Sequence, residues 1–286
     1  MGAADIVPGV SGGTIAFISG IYEELLTSIS SINIGTLKII KKEGIKAAWN
    51  SINGNFLLAL LSGILISILS LAKLVSWLLR NEPVLLWAFF FGLVAASILY
   101  MVKQITKWDA KNIIGLLAGT GIAYYITIMP PLGDASNYAY LFICGMIAIC
   151  AMILPGISGS FILLLLGAYA PIMEAVSERD YKIIAIVGAG CVISLIAFSR
   201  VLKWLFNNFK NFTLSILTGF LIGSLNMLWP WKIVTKTRVN SHGETVPFLR
   251  ENIAPDDNIA LSIILAVVGF TIIFGMEIAA KKLKSK

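Results

Sequence analysis

Long apolar runs alternate with short polar links along most of this chain, and the run lengths predict helices that cross a membrane. Stretches at about 55–79, 83–103, 111–129, 182–206, 211–231 and 258–280 are continuous and strongly apolar. About twenty such residues are what an α-helix needs to span a bilayer core, whereas barrel strands would be half as long and alternate in polarity. Residues 34–53 differ. Lys38, Lys41, Lys42 and Lys46 are interleaved there with Ile, Leu and Trp49, which predicts an amphipathic helix lying in the interface. Pro130, Pro131, Gly133 and Asp134 mark a turn. Residues 232–257 predict a polar loop, and Lys281, Lys282, Lys284 and Lys286 close the sequence.

Two further apolar stretches are broken in the middle. The first, about 3–32, carries Pro8-Gly9-Val10-Ser11-Gly12-Gly13-Thr14 and then Gly20-Ile21-Tyr22. The second, about 138–176, carries Pro155-Gly156-Ile157-Ser158-Gly159-Ser160 and then Gly167-Ala168-Tyr169, at the same spacing. The correspondence continues downstream. Gly63, Lys73, Trp77, Gly92 and Ser97 match Gly190, Arg200, Trp204, Gly219 and Ser224 at one constant offset. The chain therefore reads as a duplication, with repeat 1 over 1–129 and repeat 2 over 130–286, together forming one membrane domain. Each repeat holds a broken hairpin and three spans.

Pro and Gly inside a helix remove hydrogen bonds and end or kink it. In lipid such a break survives only where it is buried in protein or lines a wet cavity. Each broken stretch is therefore expected to enter and leave on one side, with residues 8–14 and 155–160 non-helical and meeting near the midplane. A Gly-rich turn leading into a half-helix aims backbone N–H groups and the positive dipole end at one point, which suits an anion. Ser11, Thr14, Ser158 and Ser160 add hydroxyls. The competing interpretation is that the glycines only permit close helix packing. With re-entrant hairpins each repeat crosses three times, so the second copy is inverted, a transporter architecture. The fold class expected is thus an all-α polytopic membrane protein made of two inverted repeats. The linker 34–53 and the terminal lysines fall on the cytoplasmic side and the 232–257 loop outside.

Composition agrees. The 286 residues are 58% hydrophobic and 13% charged, with mean hydropathy +0.88, too apolar for a fold with a polar exterior. The net charge of +7 comes from lysines beside apolar runs, so it speaks for cytoplasmic loops and not for nucleic acid. Cys144, Cys150 and Cys191 lie in apolar segments at no metal spacing, and His242 is the single histidine. No metal site and no cofactor is expected.

The segment Met1-Gly2-Ala3-Ala4-Asp5-Ile6-Val7-Pro8-Gly9-Val10-Ser11-Gly12-Gly13-Thr14, with Gly20-Ile21-Tyr22-Glu23, closely resembles the signature of the PopT-type polyprenyl-phosphate translocases, a bacterial membrane family. The similarity takes in the second Pro-Gly-Ile-Ser-Gly motif and covers nearly the whole chain. Members usually carry a further helical piece before this signature, so the first half of hairpin one is expected to be short here. The resemblance implies a non-enzymatic multi-pass protein of the bacterial cytoplasmic membrane. It would return undecaprenyl phosphate from the outer to the inner leaflet for cell-wall synthesis, with that lipid as its partner.

On this reading the phosphate-binding hairpins are Pro8, Gly9, Ser11, Gly12, Gly13 and Thr14 with Pro155, Gly156, Ser158, Gly159 and Ser160. Lys73 and Arg200 hold equivalent repeat positions inside apolar spans, where a cation is costly. They are candidate partners of the phosphate charge, although their nearness to span ends would also allow snorkelling. Asp5 and Glu23 flank the first motif and could carry a coupling proton or simply cap a helix. Two other functions remain open. A membrane undecaprenyl-diphosphate phosphatase would have an Arg after the motif Ser, where Gly12 and Gly159 stand, and spaced glutamates, where Glu23 and Glu24 are adjacent. A small-anion permease could use the same two half-sites.

Overall fold

The computed structural model describes residues 1–5, 11–130, 132, 137–239 and 245–284. Almost all of them are helical. The first broken stretch forms α1 (Gly2–Asp5), α2 (Gly12–Ile18) and α3 (Tyr22–Ser30). The basic linker forms α4 (Ile34–Glu43) and α5 (Ile45–Ser51), and then come α6 (Gly54–Asn81), α7 (Pro83–Val102) and α8 (Ala110–Ile128). The second broken stretch forms α9 (Tyr138–Ile153), α10 (Gly159–Leu165) and α11 (Tyr169–Glu178). The chain continues through α12 (Tyr181–Asn208), α13 (Lys210–Leu228), strands β1 (Lys232–Val239) and β2 (Thr245–Asn252), and α14 (Ile259–Lys284). Among the described residues, α6, α7, α12 and α13 are long and apolar enough to cross a membrane, and α10 with α11 forms a further apolar pair bent by 108°.

Three expectations need correction. The polar loop 232–257 is not all loop: Ile233, Val234, Thr237 and Val239 pair antiparallel with residues 245–252 across a β-hairpin. β-Branched residues favour a pleated strand. The span expected over 211–231 stops at Leu228, because Pro230 disfavours the helical conformation in the residue before it and Trp229 leaves the helix. The motifs are also not wholly non-helical. Helix α2 already starts at Gly12 and α10 at Gly159, leaving 154–158 as the described break. Pro8, Gly9 and Val10 lie outside the described residues.

The Gly-x-Tyr tails acquire a structural reason. Gly20 and Gly167 both hold positive φ, at 73° and 66°. Each donates back to the carbonyl three residues earlier, Phe17 or Leu164. The following residue donates to Ala16 or Leu163. This is the Schellman ending that a glycine without Cβ permits. It stops each seven-residue helix in the same way, and Tyr22 or Tyr169 starts the next.

Helices α8 and α13 pack side by side, as do α7 and α14, and α7 touches α13 between them. The contacts of the two helix pairs correspond. A Cβ on Gly92 of α7 would run into the Ala266 carbonyl of α14, and one on Gly219 of α13 into the Leu116 carbonyl of α8. Reciprocally, Gly269 of α14 abuts the Phe89 carbonyl and Gly119 of α8 the Ile216 carbonyl. Gly190 of α12 lies against the Phe142 carbonyl of α9, while Gly63, at the matching sequence position on α6, faces open space. The main core gathers Tyr22, Leu26, Met101, Leu214, Leu217, Leu221, Leu228 and Ile273, all almost wholly buried.

Candidate functional site

The last turn of an α-helix leaves its carbonyls without intrahelical partners. At the end of α9 those carbonyls meet the first motif. Ser11 Oγ donates to the Met152 and Leu154 carbonyls, at 3.0 and 3.1 Å. Tyr22 donates its hydroxyl to the Ile153 carbonyl at 3.2 Å. Gly13 packs so close to the same Ile153 carbonyl that a Cβ there would overlap it. From the other side the Gly156 N–H donates to Thr14 Oγ1 at 3.1 Å, with Gly156 at φ 87°. Ser11 and Thr14 are each 1% exposed. The two motifs are therefore joined directly.

This arrangement reassigns several side chains. Ser11 also caps α2, accepting from the Gly13 N–H at 3.0 Å. It and Thr14 act first as struts between the hairpins. Ser158 and Ser160 bond to each other at 2.9 Å, next to the start of α10. Asp5 Oδ1 accepts from the Gly12 N–H at 2.7 Å, while its Oδ2 is buried without a partner among the described residues. A carboxylate thus already sits at the start of α2.

The remaining candidates are placed apart from the junction. Glu23 forms a 2.7 Å ion pair with Lys210 of α13, and both side chains are more than half exposed. Glu24 accepts from Asn53 Nδ2 at 2.8 Å. These acids, with Thr27, Ser28 and Ser31, line a polar cavity of about 280 Å³. Arg200 donates from Nε to the Ser30 carbonyl at 3.3 Å and from Nη2 to the Ile32 carbonyl at 2.7 Å. It thereby fixes the end of α3, where a cation also complements the helix dipole. Lys73 is exposed on α6, in an open groove of about 650 Å³ with Ser76, Trp77 and Arg80. The two motifs are joined to each other, and among the described residues neither hydrogen-bonds to Lys73 or Arg200. Among the described residues no three His, Cys, Asp or Glu side chains gather as a metal site would require.

The equivalent cations should consequently separate on mutation. Arg200→Ala leaves the Ser30 carbonyl at the end of α3 and the Ile32 carbonyl just beyond it without their charged donor and should cost about 1.5–3 kcal/mol. Lys73→Ala should change the melting temperature of the purified protein little, since an exposed cation at a span end loses no bond. Equal melting temperatures for the two variants would contradict this.

What sequence reading missed is the division of labour. Two of the four hydroxyls expected to face a ligand, those of Ser11 and Thr14, hold the opposite hairpin, and Tyr22, read only as a repeat marker, is an anchor. Its recurrence as Gly-x-Tyr was the available signal.

Comparison with known proteins adds the family. The undecaprenyl phosphate translocase-like family model matches residues 1–246. A protein of Vibrio cholerae named polyprenyl-phosphate transporter is 47% identical over 291 aligned residues, which cover 99% of this chain and 94% of that protein. One of Staphylococcus aureus with the same name is 34% identical over 249 residues, 80% of this chain and 83% of that protein. No solved structure matches the chain.

Proposed function

We propose, given that this chain belongs to the undecaprenyl phosphate translocase-like family, that it carries undecaprenyl phosphate from the outer to the inner leaflet of a bacterial cytoplasmic membrane. It is a multi-pass membrane protein and a transporter, not an enzyme: its relatives are named for transport of a polyprenyl phosphate. The observation that carries the reading is the junction of the two motifs, where Ser11 and Thr14 bond to residues 152–156 in a buried place. A break in two apolar stretches, satisfied by one partner each, places polar groups deep in the bilayer where a lipid tail need not follow.

The domain reading is two inverted repeats, 1–129 and 130–286. It is supported by the matching Schellman endings at Gly20 and Gly167 and by the reciprocal glycine contacts of α7 with α14 and of α13 with α8. In this arrangement the Ser158–Ser160 hydroxyl pair, the start of α10 and the small residues Gly12, Gly13 and Gly159 are what the phosphate meets. Pro8, Gly9 and Pro155 keep the breaks open. Asp5 and Glu23 serve proton coupling, with Asp5 occupying the start of α2 when no phosphate is there. Lys73 and Arg200 supply positive charge on the route. The end bearing α4, α5 and the α12–α13 turn faces the cytoplasm and the β-hairpin faces out. The recycled carrier serves cell-wall synthesis.

The test is reconstitution of the purified chain into liposomes holding undecaprenyl phosphate, with a leaflet-specific probe of the phosphate. Protein-dependent movement is expected, with no phosphate released from undecaprenyl diphosphate. Phosphate release, or transport of inorganic phosphate without lipid movement, would replace this reading by a phosphatase or a permease.

A further inference from the structure

At the end of the protein that carries the β-hairpin, two cations gather, and among the described residues no acid forms an ion pair with either. Lys232 opens β1 just beyond α13. Its Nζ donates to the Met227 carbonyl in the last turn of that helix and lies 4.9 Å from the centre of the Trp87 ring on α7. Trp87 is 4% exposed, and its indole N–H is buried with no partner among the described residues. In the strand register Lys232 stands opposite Asn252 and Val234 opposite Arg250. Residues two apart share a face, so Lys232, Asn252 and Arg250 lie on the same side of the hairpin. Asn252 Nδ2 bonds the Asn226 carbonyl and Oδ1, at 3.0 and 2.9 Å, and holds that side against α13. The ion pair found among the described residues is Lys210 with Glu23, far along the same helix. Burial, and then the Arg250 charge, lower the Lys232 pKa to about 8.

We propose that Lys232, Arg250 and the Trp87 indole N–H form a receiving site for a phosphate monoester, the headgroup of the lipid arriving at this end of the protein. The inference rests on the transport reading above and names where the headgroup first docks. One cation, the half-buried Lys232, already serves the end of α13, and the exposed Arg250 near it adds like-charge repulsion. A phosphate carries close to two negative charges and three strong acceptor oxygens at neutral pH, which offsets that repulsion. Lys232 supplies a mobile point charge and Arg250 a planar fork. Trp87 supplies a donor that has no acceptor of its own. To reach a phosphate the ammonium group leaves the Met227 carbonyl while its stem stays over the Trp87 ring. Affinity is then highest where Lys232 is charged, below about pH 8. The phosphate is already a dianion well below that pH, so the decline above it reports Lys232, with Arg250 the charged group that faces it.

The experiment uses the full chain in lipid nanodiscs, titrated with undecaprenyl phosphate, neutral undecaprenol and inorganic phosphate. Lys232→Met and Arg250→Gln should each weaken undecaprenyl-phosphate binding about tenfold to hundredfold. Trp87→Phe, which keeps the ring and removes the N–H, should weaken it roughly fivefold. Binding of undecaprenol should be indifferent to all three. Parent affinity should fall about tenfold between pH 7 and pH 9, and Lys232→Arg should bind well and abolish that fall. Inorganic phosphate should bind more weakly than the lipid and lose affinity in the same variants. Failure of the parent to bind undecaprenyl phosphate would overturn the transport reading. A parent that binds, beside Lys232→Met and Arg250→Gln variants that bind equally well, would overturn this site alone. Should Lys232→Met prove too unstable to purify, a flat pH profile in the parent overturns it as well.

Discussion

Thr14→Val and Ser11→Ala should each abolish lipid transport while the long helices still insert. Valine has the shape of threonine without its acceptor, so Thr14→Val leaves the Gly156 N–H facing a methyl group in a buried place. An unpaired buried donor costs about 1–3 kcal/mol. Ser11→Ala removes the donor to two carbonyls of α9 and the cap of α2 together, which should cost about 2–4 kcal/mol if the cap and the strut are lost at once. The double variant should separate the hairpins altogether. Ser158→Ala breaks only a bond between neighbouring hydroxyls, so it should leave the melting temperature near the parent value. If it is a phosphate contact, transport should still drop. Melting curves in detergent, read beside leaflet assays, test both statements. A Thr14→Val variant that melts and transports like the parent would mean that the junction is incidental.

The outline of this fold was legible in the sequence because its two strongest signals are local. Run length fixed the apolar helices to within a few residues. A helix that must satisfy its backbone in lipid can end only where Gly, Pro or a polar link allows. The Gly20 and Gly167 endings were visible as a repeated spacing, since a positive φ needs a residue without Cβ. The candidate site was half legible. Spacing placed Pro, Gly and Ser together, but it could not say which oxygen a hydroxyl would find. That depends on where the end of α9 arrives, more than a hundred residues later. Arg200 illustrates the same limit. Its spacing suggested a twin of Lys73, yet the partners that fix it are the carbonyls of Ser30, at the end of α3, and Ile32 just beyond it, some 170 residues earlier in the chain. The β-hairpin was missed because polar strands at a membrane surface show neither long apolar runs nor clean alternation. With it went Lys232 and Arg250, whose proximity exists only in the strand register.

The reciprocal packing of the repeats yields the other large effect. Gly92→Leu and Gly219→Leu should both prevent stable assembly, because each side chain would be driven into the backbone of a neighbouring helix. Overpacking a tight contact costs about 1–3 kcal/mol even when the neighbours can move, and a helix backbone moves less readily than a side chain. The alanine series is more informative. Gly92→Ala and Gly219→Ala should lower stability by similar amounts, since Ala266 and Leu116 offer the same obstacle. Gly190→Ala should do so too, against Phe142. Gly63→Ala meets nothing in this structure and should raise stability by roughly 0.5–1 kcal/mol through helix propensity alone. Thermal unfolding of the four variants distinguishes two arrangements. If the spans of each repeat packed only among themselves, changes at Gly92 and Gly219 would have unrelated effects. If the contacts of α7 with α14 and of α13 with α8 are equivalent, those two glycines respond as a pair. Gly63 and Gly190 then respond oppositely, because α12 has α9 laid along it and the matching face of α6 is open.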